Sequence, residues 1–96
     1  MKRVNQIVTI ITLFIFTSCS SDMGDIEQLF QNKKYEQTID KLNTHLFFHV
    51  TDVKALHIRA RSYEELGFIK EAKQDYNRII SLSPEYAQAY AGLGKI

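Results

Sequence analysis

Apolar residues recur at helical spacing from residue 25 onward, and no alternating strand pattern competes with them. Residues 25–32 carry Ile26, Leu29 and Phe30 on one face, and the polar run Asn32-Lys33-Lys34 then reads as a turn. Residues 35–48 place Tyr35, Ile39, Leu42, Leu46 and Phe47 on one face of a second helix, which breaks at His49 to Thr51. Asp52 is suited to cap a third helix over residues 53–66, with Val53, Leu56, Ala60 and Tyr63 inward. Gly67 follows, where a left-handed residue ends a helix without steric cost. Residues 68–82 form the partner helix, burying Ile69, Ala72, Tyr76, Ile79 and Ile80. Ser83 is placed to cap a last helix, Pro84 fits its first turn, and residues 85–96 carry Tyr86, Tyr90 and Leu93 along one side. The chain is therefore expected to be all-α.

These helices repeat. Leu56, Ala60, Tyr63, Gly67, Ala72, Tyr76 and Pro84 set a pattern whose counterparts stand 34 residues away in either direction. Tyr90 and Gly94 follow Leu56 and Ala60, and Ala89 follows Ala55. Ile26, Leu29, Thr38 and Leu42 precede Ala60, Tyr63, Ala72 and Tyr76, and Asn43 precedes Asn77. Small side chains at Ala60 and Ala72 let two helices approach closely, while Tyr63 and Tyr76 fill the volume beside them. Period and residue order resemble the tetratricopeptide repeat, a helix–turn–helix unit that stacks into a solenoid. The best match is residues 53–86, with Ala60, Tyr63, Gly67, Ala72, Tyr76 and Pro84 at the family's spacing. It departs at Leu56, where the family often has tryptophan, and at Ile79, where it prefers alanine.

Residues 25–52 read as a degenerate pair. Thr38 replaces alanine, Lys33 the turn glycine and Val50 proline, and His45 takes a small inner place. A left-handed Lys33 costs on the order of 1 kcal/mol, and Asn32 beside it tolerates that conformation better. Residues 87–96 supply the first helix of a third unit, with Gly94 as the counterpart of Ala60. The resemblance thus implies a short solenoid of about two repeats plus one helix. Its open last helix leaves Tyr86, Tyr90, Leu93 and Ile96 awaiting a cover, through self-association or through further repeats of a longer protein.

The first residues differ in kind. Met1-Lys2-Arg3 is basic, and residues 4–16 are mostly apolar but too few for the roughly 20 helical residues that span a bilayer. Residues 1–18 thus read as an export signal. Phe16-Thr17-Ser18-Cys19 resembles the bacterial lipobox, although Phe16 stands where that family usually has an aliphatic residue. The resemblance implies cleavage before Cys19, lipidation of its thiol and a short tether over residues 19–24. Cys19 is the only cysteine, so no disulfide within the chain competes for it. Cleavage near Ser18 or Ser20 and an uncleaved anchor are the other readings of these residues. Ser20 after Cys19 differs from the aspartate that some bacteria use for inner-membrane retention, which favours the outer membrane of the cell envelope.

Charge narrows the partners. Without Lys2 and Arg3 the basic residues number ten against eleven acidic, leaving no surplus to attract nucleic acid. His45, His49 and His57 include a pair four residues apart, as metal ligands on a helix often are, yet no HExxH pattern or cysteine joins them; no metal or cofactor is expected. Gly92-Leu93-Gly94-Lys95 lacks the first glycine and final hydroxyl residue of a phosphate loop, and no nucleophile elbow occurs, so no catalysis is expected. The family binds peptides in the groove lined by the first helix of each pair. Here that face carries Lys54, His57, Arg61, Glu64, Gln88 and Ala91. Glu27, Gln88 and Gly92 do not fit the family's clamp for C-terminal carboxylates, and Arg61 with Glu65 also suits a plain solvated ion pair. The expected function is a membrane-anchored, non-catalytic protein-binding module. Alternatives are a subunit of an envelope assembly machine, or a truncated piece of a longer repeat protein without independent function.

Overall fold

The computed structural model describes residues 23–96, and all regular secondary structure among them is helical. Five helices follow one another: α1 (Met23–Gln31), α2 (Tyr35–Phe48), α3 (Val53–Leu66), α4 (Ile69–Leu82) and α5 (Ala87–Lys95). Cys19, the residues read as an export signal and most of those expected to form a tether lie outside the described residues. Each helix packs on the next across a connection of a few residues, so consecutive helices run antiparallel. α3 also adjoins both α1 and α5, whereas α2 and α4 stand apart.

The boundaries themselves repeat. α2 and α4 are both 14 residues long and begin at Tyr35 and Ile69, 34 positions apart. The ends of α1 and α3 share one hydrogen-bond pattern. Lys33 N–H donates to the Phe30 carbonyl at 3.0 Å and Lys34 N–H to Leu29 at 2.9 Å. Gly67 N–H donates to Glu64 at 3.0 Å and Phe68 N–H to Tyr63 at 2.8 Å. Both helices therefore end by the same left-handed stop. Lys33 itself adopts it at φ 62°, and Gly67 at φ 83°; Asn32 does not take the strained place. The two crossing hydrogen bonds fix the conformation at position 33, so the lysine bears the cost.

The core runs continuously through the hairpins. Ile26, Leu42, Leu56, Ala60, Ala72, Tyr76, Ile79 and Ala89 are all fully buried or nearly so. Thr38 is buried too, because its hydroxyl donates to the Lys34 carbonyl at 2.7 Å and leaves only its methyl to pack. Asp52 caps α3: its Oδ1 accepts from Ala55 N–H at 3.1 Å, while Oδ2 meets His45 Nε2 at 2.8 Å.

Several sequence expectations fail at helix ends. The spacing puts Phe47 on one face with the buried Ile39, Leu42 and Leu46 and turns Ile69 inward, yet Phe47 is 77% exposed and Ile69 38%. Each lies in a terminal turn, beyond the cover of the neighbouring helix. Ser83 does not cap α5. Its hydroxyl bonds Glu85, and Ser83, Pro84, Glu85 and Tyr86 form a tight turn closed by Tyr86 N–H to the Ser83 carbonyl at 3.0 Å. Pro84 occupies the second place of that turn, which its fixed φ favours, so α5 starts at Ala87 rather than at residue 85. The close approach of α5 also falls elsewhere than expected. Gly94 faces open space, while a Cβ at Gly92 would lie 2.3 Å from the buried Tyr76 ring.

Candidate protein-binding face

Lys54, His57, Arg61 and Glu64 recur every three or four residues on α3, which puts them on one side of that helix. α1 and α5 flank α3, so each side chain meets a neighbour. Lys54 Nζ reaches Glu27 Oε1 of α1 at 2.5 Å, and that contact raises the ammonium's pKa above its ordinary value. His57 Nδ1 lies 3.3 Å from the Tyr86 hydroxyl, which stands at the cap of α5, and the two rings meet edge-on with centroids 5.5 Å apart. Burial, with the charge of Arg61 adding to it against Glu64, lowers the His57 pKa and favours a neutral imidazole.

The far part of the face is more enclosed. Arg61 Nε lies 3.4 Å from Glu64 Oε2, and the guanidinium sits 6.0 Å from the centre of the Phe30 ring on α1. Arg61 thus pairs with Glu64 one turn away, not with Glu65. Below them the Tyr76 hydroxyl is buried, and burial together with the Glu64 carboxylate pushes its pKa well above that of an ordinary phenol. Arg61 Nε, Glu64 Oε1 and Tyr76 Oη are all buried without a hydrogen bond of good geometry. Such atoms cost roughly 1–3 kcal/mol each when left unmet, and here the Glu64 carboxylate is the acceptor beside both the Arg61 guanidinium and the Tyr76 hydroxyl.

The arrangement decides what the face can recognise. Two cations, Lys54 and Arg61, alternate with two anions, Glu27 and Glu64, and each has an opposite charge beside it. The long-range field is therefore small, and what the face offers a partner is local hydrogen bonding and the Phe30, Tyr86 and His57 rings. Gln88, exposed on α5, occupies the place of Lys54 one period later, and Ala91 is also exposed. Gly92 does not belong to the face, since it is buried on Tyr76.

The residues that define the repeat sit beneath. Ala60, Ala72 and Tyr76 are fully buried, Tyr63 is half-buried against Phe68, and Gly67 makes the turn. Sequence reasoning missed Phe30 and Tyr86 as members of the face. It also missed the link on the other side of α3, where Arg59 forks onto Asp75 at 2.8 Å twice and reaches Asn43 Oδ1 at 2.9 Å. That link ties α2, α3 and α4 together. The spacing of Arg59 and Asp75 on consecutive helices was a usable signal, because opposite charges at mirrored depths of a hairpin meet.

His45 and His49 stack with ring centroids 4.7 Å apart, but His45 is engaged by Asp52. Among the described residues no group of three or more histidine, cysteine or acidic side chains is arranged to hold a metal. No helix among them is long and apolar enough to cross a membrane. Compared with known protein families, characterised proteins and solved structures, the chain finds no significant match.

Proposed function

We propose that the chain is a bacterial envelope lipoprotein that carries a short tetratricopeptide-like array and binds a protein partner without catalysing a reaction. The observation that supports this most is the 34-residue recurrence of whole structural features. The starts of α2 and α4 and of α3 and α5, the equal lengths of α2 and α4, and the paired left-handed stops at Lys33 and Gly67 keep it. Residues 25–52 and 53–86 are then two units, and residues 87–96 begin a third. Cys19 carries the lipid, residues 19–24 form the tether, and an extended segment of the partner lies along α1, α3 and α5. Confinement to a membrane raises the partner's effective concentration, so individual contacts there need not be strong. The outer membrane is the proposed location.

Two experiments test this reading. A Cys19→Ser variant should lose both the acyl mass increment and partitioning into detergent; retention of both would refute the anchor. A photocrosslinker at Gln88 should capture an envelope protein, and a Lys54→Glu/Arg61→Glu pair should abolish that adduct while leaving the helical circular dichroism intact. Capture undiminished by the double variant would move the binding face elsewhere.

A second reading draws on Gly94. Ala60 is buried under α4, whereas Gly94, its counterpart, is open. That position is shaped for another helix, as in a subunit of an envelope assembly machine, in self-association, or in a longer repeat protein. A stable stoichiometric complex recovered from crosslinked envelopes would favour the assembly subunit over the adaptor.

A further inference from the structure

Most of the large apolar side chains left exposed cluster at one end of the molecule. Phe47 is 77% exposed, Phe48 73% and Val50 51%, and Leu82 and Tyr90 add 40% and 50%. Antiparallel packing brings the end of α2, the start of α3, the end of α4 and the start of α5 to that end. Contacts across it agree: Arg78 Nη2 of α4 lies 3.4 Å from the Val50 carbonyl, and the Tyr90 hydroxyl donates to the Pro84 carbonyl at 2.8 Å. The first residue of α1 also points this way. α1 has 9 residues against 14 in α2, so Met23 lies about two thirds of the way along α2 toward Phe48.

Between Leu46 and Thr51 no residue carries a formal charge. The rings of Phe47 and Phe48 meet edge-on with centroids 5.1 Å apart, so the tip is a preformed aromatic wedge. Arg78 stands beside it, and among the described residues no carboxylate lies within ion-pair distance of that guanidinium. Paired phenyl rings beside an arginine that has no carboxylate partner suit the headgroup–acyl boundary, where apolar rings enter the acyl layer and the cation meets phosphate. A stable protein interface buries more than about 1,000 Å², which a narrow turn tip does not offer, whereas a lipid surface accepts a protruding wedge.

We infer that the α2–α3 turn, led by Phe47 and Phe48 and flanked by Arg78, docks on the lipid surface and sets the orientation of the array. This rests on the proposed lipidation of Cys19. Four residue steps separate Cys19 from Met23, which limits their span to about 14 Å. Met23 lies nearer this end than the Phe68–Ile69 end, so the anchor brings this end first to the bilayer. The binding face of α3 then runs away from the membrane, with Lys54 proximal and Glu64 distal.

The chain contains no tryptophan, so Phe48→Trp installs a single reporter at an exposed place, and Phe68→Trp gives a matched control at the opposite end. Both are purified from membranes as the full processed chain, their intact masses recorded, and each reconstituted into phosphatidylethanolamine–phosphatidylglycerol vesicles containing lipids brominated high on the acyl chain. With the acyl mass present, Phe48→Trp emission should shift to the blue and fall by roughly half, while Phe68→Trp stays unquenched. Acylated protein with an unquenched Phe48→Trp would overturn the docking and leave the anchor standing. Absence of the acyl mass would overturn the anchor, and the docking with it. A blue shift without vesicles that grows with protein concentration would assign the tip to a second copy and overturn the lipid contact.

Discussion

Arg59 and Asp75 close a two-pronged ion pair between α3 and α4, while the places 34 residues earlier hold Asp25 and Lys41. The earlier residues have the opposite order of charge. They border one groove between α1 and α2, yet they do not pair. The interior differs similarly: α3–α4 brings Ala60 against Ala72 and fills the side with Tyr76, whereas α1–α2 uses Ile26, Thr38 and Leu42 at the same three places. The backbone path is kept in both hairpins, although its supports are exchanged. What the comparison teaches is that helix ends and crossing points define this unit, and that several side-chain solutions satisfy them.

The largest test of that statement is truncation of the central side chains. Tyr76→Ala should destabilise the chain by about 3–5 kcal/mol and Leu42→Ala by about 2–5 kcal/mol in denaturant melts. A near-zero effect for Leu42 would break the equivalence of the two hairpins. Next, Asp75→Ala strands a half-buried guanidinium and should cost about 2 kcal/mol, below a fully buried pair because Arg59 stays partly exposed. Lys41→Ala at the corresponding place should leave the melt unchanged, and a matching loss there would show that the groove is paired in solution. The two stops sharpen the comparison further. Lys33→Gly should stabilise by about 1 kcal/mol, and Gly67→Ala should destabilise by a similar amount.

The smallest effect is that of pH. His57 has a lowered folded pKa, so its contribution is complete above the unfolded value of 6.5 and is lost as pH falls through the folded value. For Asp52, burial pushes the carboxyl up, but the His45 and Ala55 hydrogen bonds and the charges of His45 and His49 outweigh it and hold the pKa below 3.8. Its contribution is present above 3.8 and is lost as pH falls further. Melts between neutral pH and pH 3 should therefore lose stability in two stages, and a His57→Gln variant should lack the first.

The helix order, the bounds of α2 and α3, the Asp52 cap and the buried Ala60–Ala72–Tyr76 set were legible in the sequence, because periodicity and small-residue spacing report which face turns inward. Phe47 and Ile69 were misread for the same reason. Periodicity gives direction but not where the covering helix stops. Pro84 was legible as a breaker, though not as a turn residue that delays α5 past Tyr86. On the candidate face, Lys54, His57, Arg61 and Glu64 could be placed by counting along one helix. Tyr86 and Phe30 could not, since they arrive from other helices through contacts that depend on how far α1 and α5 lean towards α3.

Each helix touches only those one or two places away along the chain. No contact therefore waits for a long loop to close, and the entropic barrier to assembly is low. The α1–α2 hairpin holds its own stop, its own Thr38 back-bond and much of its own apolar seam before α3 arrives. A chain emerging N-terminus first can thus complete one hairpin at a time, each serving as the template for the next.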